Sequence, residues 1–296
     1  MAKQSHTDQR QVLLTHIGGI PFHWGSRTHV MGVVNVTPDS FSGDGVGDDV
    51  ASAVGLALRM QEEGADLVDV GAESTRRYND REGAVPVGVD EELRRVLPVV
   101  ERLCRELSVP VSVDTYKPQV ARRCLEAGAH MINDVWGVRT DTGMSEVVAE
   151  FGVPVVLMHN RDGNVYSDLL AEVTGSLGAA VERALASGVP RENVIVDPGI
   201  GFGKVADQSL EIEGRLAELG RLGQPVLVGP SRKSHLGMVL GGLPAGERLE
   251  GTAAAVSLCV AGGADIVRVH DVKEMVRVVR VSDAIVRGWR PDVWSR

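Results

Sequence analysis

The sequence has no excess of positive charge, no long apolar run and few cysteines. Its 31 Lys and Arg residues are outnumbered by 40 Asp and Glu residues, which gives a formal net charge of −9. Because a phosphate backbone or an anionic membrane attracts a basic surface, this balance argues against a general nucleic-acid or membrane binder. No stretch of the chain reaches the roughly 18 apolar residues of a membrane-spanning helix.

The first residues and the cysteines favour a cytoplasmic location. The start, MAKQSHTDQR, is polar and lacks the apolar run of a signal peptide. Cys104, Cys124 and Cys259 form no CxxC pair and, being three, cannot all be joined in disulfides. We therefore expect reduced thiols in a cytoplasmic protein.

Glycine is abundant, whereas aromatic residues make up only 4% of the chain. The 35 glycines exceed the roughly 21 that average usage would give in a chain of this length. They are not periodic, and the hydrophobic fraction of 43% is too high for a disordered chain. Composition therefore indicates a globular protein rather than a collagen-like or disordered one.

Short β-branched runs alternate with amphipathic segments along the chain. The runs are apolar throughout, as expected for parallel strands buried on both faces. They fall at 29–34, 67–70, 111–113, 131–133, 155–158, 194–196, 226–228 and 266–269. Helices are predicted near 48–63, 90–107, 118–127, 143–151, 168–187, 208–219, 250–262 and 272–287. This alternation predicts an α/β fold, a single (β/α)8 TIM barrel, because a doubly wound sheet would need fewer strands or a second domain.

Glycine also marks the predicted turns from helix to strand. Gly64, Gly128 and Gly263 each follow a predicted helix and precede Ala and a predicted strand. Glycine at this position suits a left-handed helix C-cap. We therefore expect these three glycines to end helices.

The N-terminal part of the chain precedes the first barrel strand. Residues 12–24 carry a Gly-Gly turn, which predicts a β-hairpin closing the bottom of the barrel. A loose N-terminal arm is the alternative. We predict a flexible arm over 1–11, a barrel domain over 12–290 and a C-terminal tail over 291–296.

Polar side chains follow the predicted strands, at the end of a barrel where active sites lie. Asp114, Asn133 and Asp197 suit a neutral heterocycle that presents N–H donors. For any one of them, an ordinary helix cap is the alternative interpretation. A second group suits an oxygen-rich anion such as diphosphate. It consists of Asn35, Lys233, Arg268 and His270.

Two sequence features resemble a phosphate-binding loop and a zinc ligand, but neither has the residue spacing that such a site needs. The run GIGFGK at 199–204 has three residues between its outer glycines and Val205 after the Lys. A P-loop needs four residues there and a Ser or Thr after the Lys, so we interpret the run as a Gly-rich loop over a flat ligand, with Phe202 free to stack. His159 has no His or carboxylate at metal-ligand spacing, which favours a structural role over zinc.

Seven strings, read in chain order, resemble the dihydropteroate synthase family. They are NVTPDSFS (35–42), VDVGAESTR (68–76), SVDTYKPQVA (112–121), AGAHMINDV (127–135), DPGIGFGK (197–204), GPSRKS (229–234) and VRVHDV (267–272). The family fold is a TIM barrel. The resemblance implies a transferase of folate biosynthesis, which joins 6-hydroxymethyl-7,8-dihydropterin diphosphate to p-aminobenzoate and forms 7,8-dihydropteroate and diphosphate.

The resemblance also assigns a pterin site deep in the barrel. The residues that match the family's pterin ligands are Asp114, Asn133, Asp197 and Lys233, with Met158, Phe202 and Gly229 as walls and Arg268 stacked on the ring. Asp197 would accept from both the ring N–H and the 2-amino group, an arrangement that one carboxylate satisfies.

Other matches are implied to hold the diphosphate and a magnesium ion. The diphosphate would contact Asn35, Arg76, Arg268 and His270, with Mg²⁺ at Asn35. Magnesium suits such a site because it prefers substrate phosphates and few protein ligands. The family mechanism is SN1-like, so no protein nucleophile is required. The residues implied to be catalytic are Asn35, Asp39, Lys233 and Arg268.

Two loops, 36–47 and 73–84, are implied to form the p-aminobenzoate site. The residues expected to bind p-aminobenzoate are Phe41, Thr75, Ser231 and Lys233. The family's second loop reads S-T-R-P-G, whereas Arg77 replaces the Pro here, which leaves that loop's contacts open. The family's S-R-K-S-F also differs, since this chain has His235 in place of the Phe.

Two alternative functions stay open at this point. The first is a pterin-binding methyltransferase domain, which shares the barrel and the pterin-facing Asp and Asn. The second is a non-catalytic paralogue that binds pterin. The family resemblance further suggests a homodimer formed through the late barrel helices.

Overall fold

A computed structural model describes residues 11–37, 49–73, 87–137, 139, 143–291 and 293. Eight of the described strands form one parallel sheet. They are β3 (His29–Asn35), β4 (Leu67–Gly71), β5 (Val111–Asp114), β6 (Met131–Asp134), β7 (Val155–Met158), β8 (Val194–Asp197), β9 (Leu227–Val228) and β10 (Ile266–Val269). Their order across the sheet is β8-β7-β6-β5-β4-β3-β10-β9. A parallel bridge between Val196 and Val226 joins the two ends of the sheet. The predicted TIM barrel is confirmed.

The helices lie outside the ring of strands. They are α1 (Val50–Glu62), α2 (Val89–Glu106), α3 (Pro118–Glu126), α4 (Met144–Phe151), α5 (Leu169–Ala186), α6 (Ala206–Gly214), α7 (Ser234–Val239), α8 (Leu249–Ala261) and α9 (Val272–Val286). Short 3-10 helices occupy Arg191–Asn193, Leu216–Leu222 and Ala245–Glu247. The helix predicted near 208–219 is α6 followed by a 3-10 helix, while α7 was not predicted because six residues are too few to show a helical period. No helix in the described part of the chain is both long and apolar enough to cross a membrane.

The helix-to-strand turns use left-handed glycines, as predicted. The φ angles of Gly64, Gly128 and Gly263 are +101°, +105° and +97°. Such angles are unfavourable for other residues, which have a Cβ atom. Each glycine therefore ends a helix and redirects the chain into the next strand.

A β-hairpin closes the bottom of the barrel, as predicted. β1 (Leu14–Ile17) pairs with β2 (Ile20–His23) in antiparallel fashion, and both turn residues, Gly18 and Gly19, have positive φ. Ile17, Phe22 and Trp24 pack against the first inward side chains of the barrel strands. The lower end of the barrel is therefore filled with apolar side chains.

His235, which stands where the family usually has Phe, has a buried acidic partner. It lies on α7, and its Nε2 is 2.9 Å from Oε1 of Glu213 on α6. Both residues are buried. The contact joins the two helices and holds the start of α7, where Lys233 is located.

We predict that His235 and Glu213 are energetically coupled. Glu213→Leu leaves a ring nitrogen of His235 buried without this acceptor and should cost about 1–3 kcal/mol of unfolding free energy. The double variant Glu213→Leu/His235→Phe should recover most of that loss, because both polar groups are then removed together. Urea denaturation of the wild type, both single variants and the double variant measures the coupling. Strictly additive effects would contradict it.

Candidate active site

The inward-facing side chains of the barrel lie in two layers. Alternate residues of a strand point to opposite faces of a sheet, so inward positions recur every second residue. The lower layer is apolar and packs against the hairpin. Pairs of lower and upper positions are Leu67 and Asp69, Met131 and Asn133, Val156 and Met158, Ile195 and Asp197, Leu227 and Gly229, and Ile266 and Arg268. Most of the residues that the resemblance assigned to the pterin therefore share the upper layer.

The guanidinium of Arg268 connects several strands across this upper layer. Its Nε donates to Oδ2 of Asp69 at 2.7 Å, and its Nη2 donates to Oδ2 of Asp114 at 3.0 Å. Nδ2 of Asn133 donates to the same oxygen of Asp69 at 2.9 Å. The positive charge of Arg268 therefore lies between two carboxylates.

Burial strongly affects the protonation of Asp114. Loss of water contact raises the pKa of Asp114 to about 8, while the charge of Arg268 opposes the rise and neighbouring carboxylates add to it. Because a charged group is costly to bury without a partner, the ion pair with Arg268 is what favours the ionised form of Asp114.

Several buried oxygens of the upper layer have no hydrogen-bond partner within the described residues. They are Oδ1 of Asp69, Oδ1 of Asn133 and Oγ of Ser112. They lie on the neighbouring strands β4, β6 and β5. A buried acceptor without a donor costs free energy, so this cluster suits a ligand that carries N–H groups.

Asp197 ends β8 on the other side of the barrel and is buried. Its Oδ1 accepts from the backbone N–H of Gly199 at 2.7 Å. Burial raises the pKa of Asp197 to about 6, while this N–H and three cations oppose the rise. The cations are Lys233, Lys204 and Arg268. Asp197 is thus an acid whose ionised form depends on the surrounding positive charges.

The Gly-rich loop after Asp197 carries Phe202, the residue expected from the sequence to stack on a flat ligand. Gly199, Gly201 and Gly203 all have positive φ, which lets the loop turn sharply. Nζ of Lys233 donates to the carbonyl of Ile200 at 2.9 Å and lies 4.1 Å from the ring centre of Phe202. The structure therefore brings Lys233 and Phe202 together.

An apolar cluster faces the same region. Met158, Val135 and Trp136 form a buried group, and Tyr116 and Phe202 pack against it. The sequence assigned Met158 and Phe202 to the pocket wall, and the structure places them in one cluster. It did not assign Trp136.

Ser231 and His270 form a second polar unit at the strand ends. Oγ of Ser231 lies 3.0 Å from Nδ1 of His270 and accepts from the backbone N–H of His270 at 3.2 Å. Between Ser231 and Lys233, Arg232 has a φ of +57° and donates to both carboxylate oxygens of Asp271 at 3.0 and 2.6 Å. This bidentate pair fixes the loop after β9 to the end of β10.

Asn35, the predicted magnesium ligand, ends β3 and is half-buried. It is paired in register with Gly71, which in turn is paired with Asp114. A Cβ atom on Gly71 would lie 3.2 Å from Cβ of Asp114, so glycine leaves space beside the acid. Over the residues that the structure describes, no group of three or more His, Cys, Asp or Glu side chains could hold a metal ion.

Four predicted site residues lie outside the described residues. They are Asp39, Phe41, Thr75 and Arg76. The described residues on either side of 74–86 are joined by Glu73, whose Oε1 accepts from the backbone N–H of Val87 at 3.1 Å. Lys117 donates to the other oxygen of Glu73 and also pairs with the buried Glu92.

His159 is buried at the end of β7 and contacts a lysine rather than a carboxylate. Nζ of Lys204 donates to its Nδ1 at 2.9 Å. Burial, followed by the charge of Lys204, lowers the pKa of His159 to about 3. The ring is therefore neutral at physiological pH.

Sequence reasoning missed several residues that shape the site. Asp69, Lys204 and Arg232 lie inside the strings quoted above, yet none was assigned a role. For Asp69 the signal was available: it follows the inward Leu67 by two positions, so it shares the inward face. Strand β4 is therefore not apolar throughout, and the polar exception is part of the site. Lys204 and Arg232 act through contacts that no local pattern indicates.

The outward side of β6 carries a further buried acid, Asp134. Its Oδ1 accepts from the backbone N–H of Trp136 at 2.9 Å. Burial raises the pKa of Asp134 to about 7, and this N–H opposes the rise. Because the folded-state pKa exceeds that of the unfolded chain, the folded protein binds more protons between about pH 4 and 7, and its stability falls as the pH rises through that range.

We predict that Asp134→Asn stabilises the protein more at high pH than at low pH. The amide oxygen can still accept from Trp136 but never becomes charged. The gain in unfolding free energy should grow by about 3 kcal/mol between pH 5 and pH 8. Denaturation at both pH values measures this, with the exposed Asp207→Asn as the matched control. A gain independent of pH would argue against a buried, titrating Asp134.

Comparisons with known proteins agree with this geometry. A family model described as "Pterin binding enzyme" matches residues 31–270. The chain is 46% identical to the dihydropteroate synthase of Bacillus subtilis over 282 residues, which cover 95% of this chain and 96% of that protein.

Solved structures are similar over most of their length. A dihydropteroate synthase from Xanthomonas albilineans in complex with 7,8-dihydropteroate is 42% identical, with a TM-score of 0.82, and covers 92% of this chain and 98% of its own. The same enzyme with 4-aminobenzoic acid is 43% identical, with a TM-score of 0.84, and covers 93% and 98%. The chain belongs to the dihydropteroate synthase family of pterin-binding enzymes.

Proposed function

We propose that this chain condenses 6-hydroxymethyl-7,8-dihydropterin diphosphate with p-aminobenzoate to give 7,8-dihydropteroate and diphosphate. The observation that carries the proposal is the upper layer of the barrel. Within the part of the chain that the structure describes, buried acceptors on Asp69 and Asn133 have no hydrogen-bond partner. They lie at the same end of the barrel as the carboxylate of Asp197 and the clustered side chains of Met158 and Phe202. A flat heterocycle with N–H donors satisfies both the polar and the apolar parts of this site.

Each side of the pterin ring has a suitable partner. Asp197 accepts from the ring N–H and the 2-amino group, and Lys233 donates to the ring's acceptors. Arg268 belongs to the same upper layer and is held by Asp69 and Asp114. Because Arg268 is already fixed by two carboxylates, little entropy is lost when it stacks on a bound ring.

The diphosphate fits the polar groups at the strand ends. His270, which contacts Ser231, directly follows β10, and Asn35 ends the adjacent strand β3. We propose that Asn35 would supply one oxygen to Mg²⁺ and that the bound ion would provide positive charge for the diphosphate. A single neutral protein oxygen fits this ion, since magnesium takes most of its ligands from phosphate and water.

The reaction needs stabilised charge rather than a nucleophile. If diphosphate leaves before the amine attacks, the pterin becomes transiently cationic. In this proposal the carboxylates of Asp69 and Asp197 place negative charge near the ring, and the apolar cluster limits the access of water that would otherwise attack it. Asp39, Phe41, Thr75 and Arg76 complete the p-aminobenzoate and diphosphate contacts in this proposal.

The test is a direct assay combined with one substitution. The purified chain is incubated with the pterin diphosphate, p-aminobenzoate and Mg²⁺, and both dihydropteroate and diphosphate are measured. Asp197→Ala should lower pterin affinity about 100-fold or more, because the ring's paired donors lose their acceptor. Calorimetry measures this loss, with Asp207→Ala on the exposed surface of α6 as the control.

Other outcomes would identify the alternatives. Pterin binding without product would favour a non-catalytic paralogue. Methyl transfer from a pterin substrate without diphosphate release would favour the methyltransferase. Unchanged pterin affinity in Asp197→Ala would contradict the assignment of the ring's partner.

We further propose that the protein is a cytoplasmic homodimer. Helices α8 and α9 pack together and expose large apolar side chains on their outer surface. These are Leu258, Val281, Ile285 and Val286, of which Ile285 is 76% exposed. A second copy of the chain would cover this face, because a contiguous apolar patch on a surface marks an interface.

The dimer is expected to dissociate when a charge is placed at its centre. Ile285→Asp should give a monomer in sedimentation velocity at concentrations where the wild type is dimeric, because a carboxylate would be buried without a partner. Val165→Asp, at a position that is 80% exposed in a loop, is the matched control. A wild type that sediments as a monomer would contradict the proposal.

A further inference from the structure

Lys204 lies where the Gly-rich loop meets the end of β7. Its Nζ donates to Nδ1 of His159 at 2.9 Å, to the carbonyl of Phe202 at 2.9 Å and to the carbonyl of His159 at 3.3 Å. An ammonium group has three N–H donors, and here each has an acceptor. Lys204 therefore ties the residue that carries the aromatic wall to the neighbouring strand.

The loop is packed closely against that strand. A Cβ atom on Gly199 would lie 2.0 Å from the carbonyl oxygen of His159, and one on Gly203 would lie 2.5 Å from that of Arg161. Both glycines also have positive φ, +70° and +58°. The backbone of the loop is thus in direct contact with the residues after β7, and Lys204 bonds across this contact.

The same lysine lies close to the turn that holds Asp197. The backbone N–H of Gly199 donates to Oδ1 of Asp197 at 2.7 Å, and a Cβ on Gly199 would lie 3.4 Å from Nζ of Lys204. Lys204 therefore lies close to the turn that positions this carboxylate, and both Lys204 and Lys233 act on its charge.

The positive charges near Asp197 all favour its ionised form. The groups that face it are Lys204 from the loop, Lys233 from the start of α7, Arg268 from β10 and the thiol of Cys259 from α8. Lys204 itself faces Asp197, the neutral ring of His159 and the guanidinium of Arg161.

Burial makes the charged forms of both Asp197 and Lys204 costly. Burial raises the pKa of Asp197 to about 6 and lowers the pKa of Lys204 to about 7, and each group's charge opposes the shift of the other. The three acceptors around Nζ further favour the ammonium form of Lys204. Removing Lys204 would therefore raise the pKa of Asp197 further.

We propose that Lys204 is a positioning residue that holds Asp197 in its ionised form and fixes the Gly-rich loop for pterin binding. This inference rests on the proposed function. A protonated Asp197 would present a hydroxyl to the pterin's N–H groups and could accept only one of them well. Lys204 thus acts on the pterin through Asp197 and Phe202 without touching the ligand.

The experiment measures pterin affinity as a function of pH. Calorimetry with 6-hydroxymethyl-7,8-dihydropterin is carried out between pH 5 and pH 8 on the wild type, Lys204→Met and Lys204→Gln. The pH below which binding is lost should rise by about one unit in both variants. Lys204→Gln retains two donors for the carbonyls of His159 and Phe202, so it tests the charge with less change to the loop.

The controls separate charge from packing. Lys273→Met, an exposed lysine on α9, should leave the pH dependence of binding unchanged. In the full reaction, the KM for the pterin substrate should rise in both Lys204 variants at pH 6, whereas the KM for p-aminobenzoate should stay within about twofold. A purely structural role would weaken binding equally at every pH.

Two results would overturn the inference in distinguishable ways. If the wild type binds pterin and both variants keep its pH midpoint, Lys204 does not control Asp197 and only this inference fails. If the wild type binds no pterin at any pH, the proposed function fails and the inference fails with it.

Discussion

The structure depends on one constraint: a closed ring of strands encloses its inward side chains on all sides. Such a ring has no free edge, so each inward group above the apolar floor must find its partner inside the barrel or in a ligand. Asp69, Asn133, Asp114 and Arg268 meet this requirement largely among themselves. The acceptors that remain are the ones available to a substrate. Closure of the barrel therefore limits which polar side chains can face inward, in addition to the needs of the reaction.

Charge is balanced locally although the chain as a whole is acidic. The formal net charge is −9, yet Arg268, Lys233 and Lys204 are all concentrated at the upper end of the barrel. Each lies close enough to Asp197 to oppose the rise of its pKa. Because Asp197 is buried, charges near it are weakly screened, and a small number of cations has a large effect. An acidic enzyme can thus bind an anionic substrate without a basic surface.

Much of the fold could be predicted from the sequence because strands buried on both faces appear as apolar runs. The runs located all eight barrel strands, and the residues that follow them located Asp114, Asn133 and Asp197. Asp69 was missed because the run at 67–70 was interpreted as buried on both faces, so its inward-facing positions were not considered separately. Arg232 and Lys204 were missed because their partners, Asp271 and His159, are about 40 residues away. His235 appeared as an isolated departure, since its partner Glu213 lies on another helix.

The hairpin below the strands closes one end of the barrel to entering molecules. Ile17, Phe22 and Trp24 seal one end with apolar side chains, which makes the interior a well with a single mouth. With a single opening, the ligand that binds at the deeper position must enter before a second ligand binds nearer to the mouth. On the proposed function, the pterin enters first, and the joined product withdraws by the same opening. Order of addition is then a property of the architecture, set by the two short strands that close the bottom of the barrel.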